Sequence, residues 1–234
     1  MDLQREKHMR YMEIGMRASA VIVMFLAMCL LKSRNVPNVY TEDFCMRDNG
    51  HILTASTNET VNKNPELLTF FQLTSSGLMD IVFLNMVFYF LFVAKSGLIL
   101  QTLATFYVLR GVVQGIFLMT FPDGGIWDYP GFPSFVIPYG LARDFYFSGH
   151  CGFVGINTAY MFDMGRKKTV LLFLLIVPYV AYVLIMCRIH YTIDIPIGYM
   201  FGIYVYICLR PHQHKIDRRV AKTTMAIKHW LFTK

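Results

Sequence analysis

Six apolar runs decide most of what this chain can become: residues 18–31, 77–94, 97–121, 147–164, 169–187 and 195–209. In a bilayer every backbone N–H and C=O must find its partner inside the protein, so uninterrupted runs of this kind resolve as helices. The expected fold is therefore an all-α membrane protein, a six-helix transmembrane bundle over 18–209. A charged N-terminal segment, 1–17, precedes it and a basic tail, 210–234, follows. The first run is short for the roughly 20 residues of a span, and takes help from Met12 to Gly15 or from a snorkelling Arg17. Apolar residues are 55% and charged residues 16% of the chain, with 20 Phe, 14 Tyr and 15 Met, an excess that a soluble core does not need.

The net charge of +7 could indicate nucleic acid, but its distribution fits membrane topology better, and no nucleic-acid partner is expected. One side of the bundle receives Arg5, Lys7, Arg10 and Arg17, then Lys95, then Arg166, Lys167 and Lys168, then the basic tail. The other receives Lys32, Arg34, Arg47, Lys63, Arg143 and Arg188, diluted by acidic residues. The positive-inside rule then puts both termini in the cytosol, or in the matrix of a mitochondrion. Asp2, Glu6 and Glu13 argue against a cleavable mitochondrial presequence. The 5 cysteines are odd in number and lack metal-ligand spacing, so no disulfide framework follows. Residues 32–67 are polar and without periodicity and read as a loop, in which Asn58-Glu59-Thr60 is a glycosylation acceptor pattern of poor specificity. A Gly/Pro/aromatic loop over 122–145 suits the bilayer interface as an aromatic belt, with gating of lipid entry as the alternative.

Chemistry concentrates at two run entrances. His150 stands near the start of the fourth run, in Asp144-Phe145-Tyr146-Phe147-Ser148-Gly149-His150; His190 and Asp194 stand just before the sixth, in His190-Tyr191-Thr192-Ile193-Asp194. Helices two apart in an alternating bundle enter from the same face, so all three side chains converge opposite the termini. Taken alone, Asp194 reads as an N-cap with Pro196 in the first turn; polar groups gathered at membrane depth read as a site. If the helix includes His190, the i, i+4 spacing pairs it with Asp194 on one face; if the helix begins at Asp194, the two meet through a turn. Either way the carboxylate sets the imidazole tautomer and frees the other nitrogen to attack. No nucleotide-binding glycine loop, zinc motif or serine nucleophile elbow competes.

The Phe147-Ser148-Gly149-His150 run and the later His-Tyr-Thr-x-Asp resemble the two catalytic motifs of the sphingomyelin synthase family, a branch of the lipid phosphate phosphatase superfamily. The likeness includes Asp144, and extends upstream to Leu109-Arg110 and Met119-Thr120-Phe121-Pro122, similar to that family's third-helix motif. It covers roughly residues 97–210. The resemblance implies a phosphotransferase acting on membrane lipids without a metal or other cofactor. His190 would attack the phosphorus of a phospholipid headgroup, Asp194 would orient it, and His150 would protonate the departing diacylglycerol; ceramide or a similar alcohol would then take the phosphate. Arg188, Arg143 and Arg110 are the candidate phosphate-binding residues, with Asp144, Ser148, Gly149 and Tyr191 in support. Arg110, placed about 15 Å below the end of a helix reaching 121, reads equally as a structural partner for Asp80, Gln114 or Asn157.

The chain departs from the pattern where Cys151 replaces the family's Thr and where Arg188 stands only two residues before His190. Both departures, and the absence of the basic first phosphatase motif, disfavour simple phosphatase chemistry. The implied partners are a phospholipid donor and a ceramide-like acceptor, in a Golgi, other endomembrane or plasma membrane with the site lumenal or extracellular. The alternative is a catalytically inactive relative serving as a structural subunit of a membrane complex, mitochondrial inner membrane included, assembled with its own copies or with other membrane subunits.

Overall fold

The computed structural model describes residues 2–32, 47–94, 96–116, 119, 121–140, 145–215, 217–218 and 221, which form helices and no strand. Lys95, Arg143, Asp144, Thr120 and most of the tail lie outside the described residues.

Helix α1 (Asp2–Lys32) runs unbroken from the charged segment into the first apolar run. The Arg17 guanidinium donates to the carbonyls of Phe90 and Ala94, pairs with Glu13 at 2.6 Å, and lies 5.5 Å from the centre of the Phe90 ring. Those carbonyls end the second long helix, where main-chain acceptors lack helical partners and a cation is favoured.

The expected loop over 32–67 is, in its described part, largely helical. Asp48 caps α2 (Asn49–Leu53) by accepting from the amides of Gly50 and His51, and α3 (Ala55–Asn62) follows directly. Asn64 then caps α4 (Pro65–Phe88), its side chain accepting from Leu67 N at 3.2 Å, with Pro65 and Glu66 in the first turn. A cap followed by Pro and an acid is a strong helix start. Apolarity alone concealed it, because Gln72, Ser75 and Ser76 interrupt the apolar run; all three are buried in the bundle. A π-helical turn, Tyr89–Val93, continues α4.

The remaining helices are α5 (Leu98–Ile116), α6 (Gly149–Asp163), α7 (Lys167–Met186) and α8 (Asp194–Leu209). Asp217 of the tail accepts from Ser96 Oγ at 2.8 Å and Gly97 N at 2.9 Å, anchoring the start of α5. Among the described residues, Pro65–Val93, Leu98–Ile116 and Lys167–Met186 are long and apolar enough to cross a membrane. At 15 and 16 residues, α6 and α8 are shorter than the roughly 20 of a typical span. They form the middle of the bundle, with nearly every residue from Gly149 to Met161 buried.

Glycines press α6 and α8 together. A Cβ at Gly198 would collide with the Ser148 carbonyl, one at Gly202 with the Gly152 carbonyl, and one at Gly155 with the Tyr199 carbonyl. Gly198 and Gly202 are four apart, the small-residue spacing that lets membrane helices approach backbone to backbone. Gly202→Val should lower stability by about 1–3 kcal/mol, the usual penalty of overpacking. Thiol-probe melting can read this, because Cys151 and Cys187 are buried in the fold; an unchanged midpoint would refute the packing role.

Candidate active site

The close approach of α6 and α8 brings their first residues together. Ser148 caps α6, its hydroxyl accepting from Cys151 N at 3.3 Å, and its own amide donates to the Asp194 carbonyl at 3.0 Å. Helix α8 begins at Asp194, so the pair meets through a turn, the second of the two arrangements open to the sequence. Its carboxylate does not cap α8. Oδ2 accepts from His190 Nδ1 at 3.1 Å and Tyr191 N at 3.0 Å, and Oδ1 accepts from Tyr146 N at 2.9 Å. His190 and Asp194 are 1% and 0% exposed, so these donors stand in for water around a buried carboxylate. A carboxylate accepting at Nδ1 puts the proton there and the lone pair on Nε2.

His150, on the second residue of α6, stands edge-on to His190 with ring centres 5.8 Å apart. Trp127 covers it from the 121–140 loop at 6.4 Å, while Phe145 walls His190 at 6.4 Å. That loop is therefore divided. Trp127 and Ile137 are buried, whereas Tyr129, Phe132 and Phe135 face outward as a belt would. Trp127 Nε1 donates to Pro138 O and its carbonyl accepts from Gly140 N, which closes the loop on itself. Asp80 on α4 tethers it by accepting from Ser134 Oγ at 2.7 Å and Phe135 N at 3.0 Å.

Arg110 belongs to this neighbourhood. Helix α5 ends at Ile116, so Arg110 lies about 9 Å from the helix end by the rise per residue. Its Nε donates to Phe147 O at 3.0 Å, and a Cβ at Gly149 would sit 3.2 Å from its guanidinium carbon. The missing side chain of Gly149 is what lets the arginine lie against the turn. Asn157, by contrast, bonds Phe153 O of its own helix, and Gln114 bonds Phe145 O. Arg143 and Asp144 lie outside the described residues.

Arg188 terminates α7. Its amide donates to Ile185 O and that of Ile189 to Leu184 O, the double bond pattern that ends a helix through a left-handed residue. Arg188 takes that conformation at φ 53°, where glycine is the relaxed choice. Nη1 reaches Asp123 O at 3.0 Å, and its buried Nε has no hydrogen-bond partner among the described residues. Tyr146, φ 77°, is the other non-glycine residue in this region among the described residues, and its amide is one of the Asp194 donors.

Several contributors were missed from sequence. Asp48 accepts from Thr192 Oγ1 at 2.6 Å and Thr192 N at 2.7 Å, and His51 Nε2 donates to His190 O at 2.9 Å. Asn58 is buried, donating to Met186 O at 2.8 Å and Gly124 O at 3.3 Å, so its amide is a structural tie rather than a glycan acceptor. Burial pushes the Asp48 carboxyl up, but the Thr192 hydroxyl and amide and the His51 amide outweigh it and hold the pKa below its ordinary value.

Residues 143–211 match the model of the family described as PAP2 superfamily C-terminal, a stretch that takes in both motifs. The match supports membership of the lipid phosphate phosphatase superfamily and suggests phosphatase or phosphotransferase chemistry on lipid phosphates. With the apolar helices, it marks an integral membrane protein. No curated protein and no solved structure matches the chain.

Two measurements check this geometry. Arg188→Gly and Arg188→Ala both lose the side chain, but only glycine relaxes the left-handed backbone, so the glycine variant should be more stable by about 1 kcal/mol. Equal melting midpoints would remove the strain argument. A lowered carboxylate pKa contributes stability that is present above its unfolded value, about 3.9, and is lost as pH falls through the folded one. The stability difference between wild type and Asp48→Ala should therefore be level above about pH 4 and shrink below it; a difference that grows on acidification contradicts the assignment.

Proposed function

We propose that this protein is a six-span membrane phosphotransferase, termini in the cytosol or matrix, that moves a phospholipid headgroup phosphate onto ceramide or a similar lipid alcohol. The observation that carries the reading is the buried His190–Asp194 pair at 3.1 Å with the His150 ring 5.8 Å away and edge-on. A nucleophile with its orienter on one side and a proton donor on the other is what an in-line displacement at phosphorus needs. His190 Nε2 forms a bond to phosphorus, the bond from phosphorus to the diacylglycerol oxygen breaks, and His150 gives that oxygen its proton. Asp194 stabilises the imidazolium character that develops on the phosphohistidine. Neutral His150 then takes the proton of the acceptor hydroxyl, whose oxygen attacks phosphorus as the bond to His190 breaks. Both side chains return to their starting states.

Charge on the phosphate is met by arginine. Arg110 lies against Gly149, one residue from His150, and Arg188 offers a buried Nε without a hydrogen-bond partner among the described residues, a donor that a phosphate oxygen would satisfy. Arg143 joins them on the strength of its position in the motif. Splitting the transfer in two lets one pocket serve two bulky lipids in turn.

Headgroup transfer in membranes expressing the chain tests the reading, with labelled ceramide as acceptor and phosphatidylcholine, phosphatidylethanolamine or phosphatidylinositol as donor. His190→Ala should abolish the labelled product and His150→Ala should reduce it by about 10²–10⁴-fold, the usual worth of a general acid. A wild-type protein, folded and inserted, that makes no product from any donor would sink the transferase and favour the structural subunit.

A further inference from the structure

The segment from Asp48 to Asn58 makes contacts that a connector does not need. His51 is buried, its Nε2 donates to the carbonyl of His190 itself at 2.9 Å, and its ring lies 5.4 Å from that of Tyr191. Asp48 holds the hydroxyl and amide of Thr192, and Asn58 holds the carbonyl of Met186 at the end of α7. The loop from α7 to α8 is thus fastened at three points by residues 128 to 144 positions away in the chain. Gly50 permits the approach, since a Cβ there would collide with Thr192 Oγ1.

We propose that Asp48 and His51 are positioning residues for His190. The Asp194 carboxylate orients the imidazole ring and takes the Tyr191 amide, but the carbonyl of that same peptide, His190 O, and Thr192 beyond it are held from another part of the chain. Residues 190–193 precede α8, and although the carbonyls of Tyr191, Thr192 and Ile193 accept from amides at its start, the His190 carbonyl and the Thr192 amide are met from outside it. His51 supplies the donor for the His190 carbonyl, and Asp48 supplies the acceptors for Thr192, one residue after Tyr191. Together they fix the stretch of chain between the nucleophile and Asp194. A reacting group displaced by about 1 Å can lose about 10²-fold in rate, so the effect belongs in kcat rather than in substrate affinity.

The rate arm of the test rests on the transferase reading, and a second arm does not. His51→Phe keeps a ring against Tyr191 and removes the donor; His51→Gln returns an N–H donor; Gly50→Ala can be seated only by turning the Thr192 hydroxyl off Asp48. Headgroup transfer gives kcat and KM, hydrogen exchange followed by mass spectrometry gives protection over residues 189–195, and thiol-probe melting gives overall stability. The expected result is that His51→Phe and Gly50→Ala lower kcat by about 10–100-fold with KM and melting midpoint little changed, and that exchange over 189–195 quickens. His51→Gln should recover most of both. A kcat in His51→Phe equal to wild type, a Gln variant as slow as Phe, or a rate loss that merely follows a lowered melting midpoint would overturn the proposal. A wild type that transfers no headgroup overturns the transferase reading alone; exchange unaltered by His51→Phe and Gly50→Ala would then still overturn the positioning role, and quickened exchange restored by Gln would uphold it.

Discussion

A fully buried carboxylate is among the most demanding groups a fold can contain, and here Asp194 holds that place with 0% exposure. Left without donors it would cost the fold heavily. Its oxygens collect the amide of Tyr146 from the first motif, and the amide of Tyr191 and the ring of His190 from the second. The backbone carbonyl of the same residue takes the amide of Ser148. One residue thereby joins two segments nearly fifty positions apart, and the relative placement of the two imidazoles follows from it. Removing the carboxylate would leave several buried donors unmet at once, each costing about 1–3 kcal/mol.

That junction forms only because the helices behind it touch. Gly155 on α6 and Gly198 and Gly202 on α8 leave no side chain between the two backbones, while Phe106 of α5 fills the space over Gly152. Polar chemistry at the mouth and small residues below are therefore one arrangement. The glycines set the separation, and the Asp194 hydrogen bonds are made at the separation they set. The strained residues fit the same account. Tyr146 and Arg188 occupy left-handed conformations that cost about 1–3 kcal/mol each, and both flank motif residues whose backbone bonds over-determine them.

What could be read from the sequence was what depends on local pattern. His150, His190 and Asp194 each stand where a polar stretch enters an apolar run, and run parity alone places them at one end. The length of the helices was harder. Polar residues on a buried face hid the first turns of α4, while counting apolar residues to 121 carried α5 past Ile116 and set Arg110 too deep. The short helices over Asn49–Asn62 were invisible for a different reason: they have no apolar period, and what holds them is hydrogen bonding to carbonyls and amides of a distant loop. Side-chain bonds to backbone leave little trace in residue pattern, because any residue can offer the backbone group. The Gly198 and Gly202 spacing was a readable signal for the α6–α8 contact and went unused.

The location of the site at two helix starts has an electrostatic consequence. Helix N-termini carry unsatisfied N–H groups and a partial positive charge. Helix α6 begins at Gly149 and α8 at Asp194, and the bond from Ser148 N to Asp194 O holds those two beginnings side by side. The Asp194 carboxylate offsets the field of α8, which leaves the α6 terminus and the Arg110 guanidinium beside Gly149 as the positive groups near His150. In a low-dielectric bundle such fixed dipoles are little screened, and a phosphate diester that gains negative charge on its non-bridging oxygens during attack would feel them most in the transition state. Burial in the bundle, which makes isolated charges costly, thus strengthens the features that would stabilise a transferring phosphate.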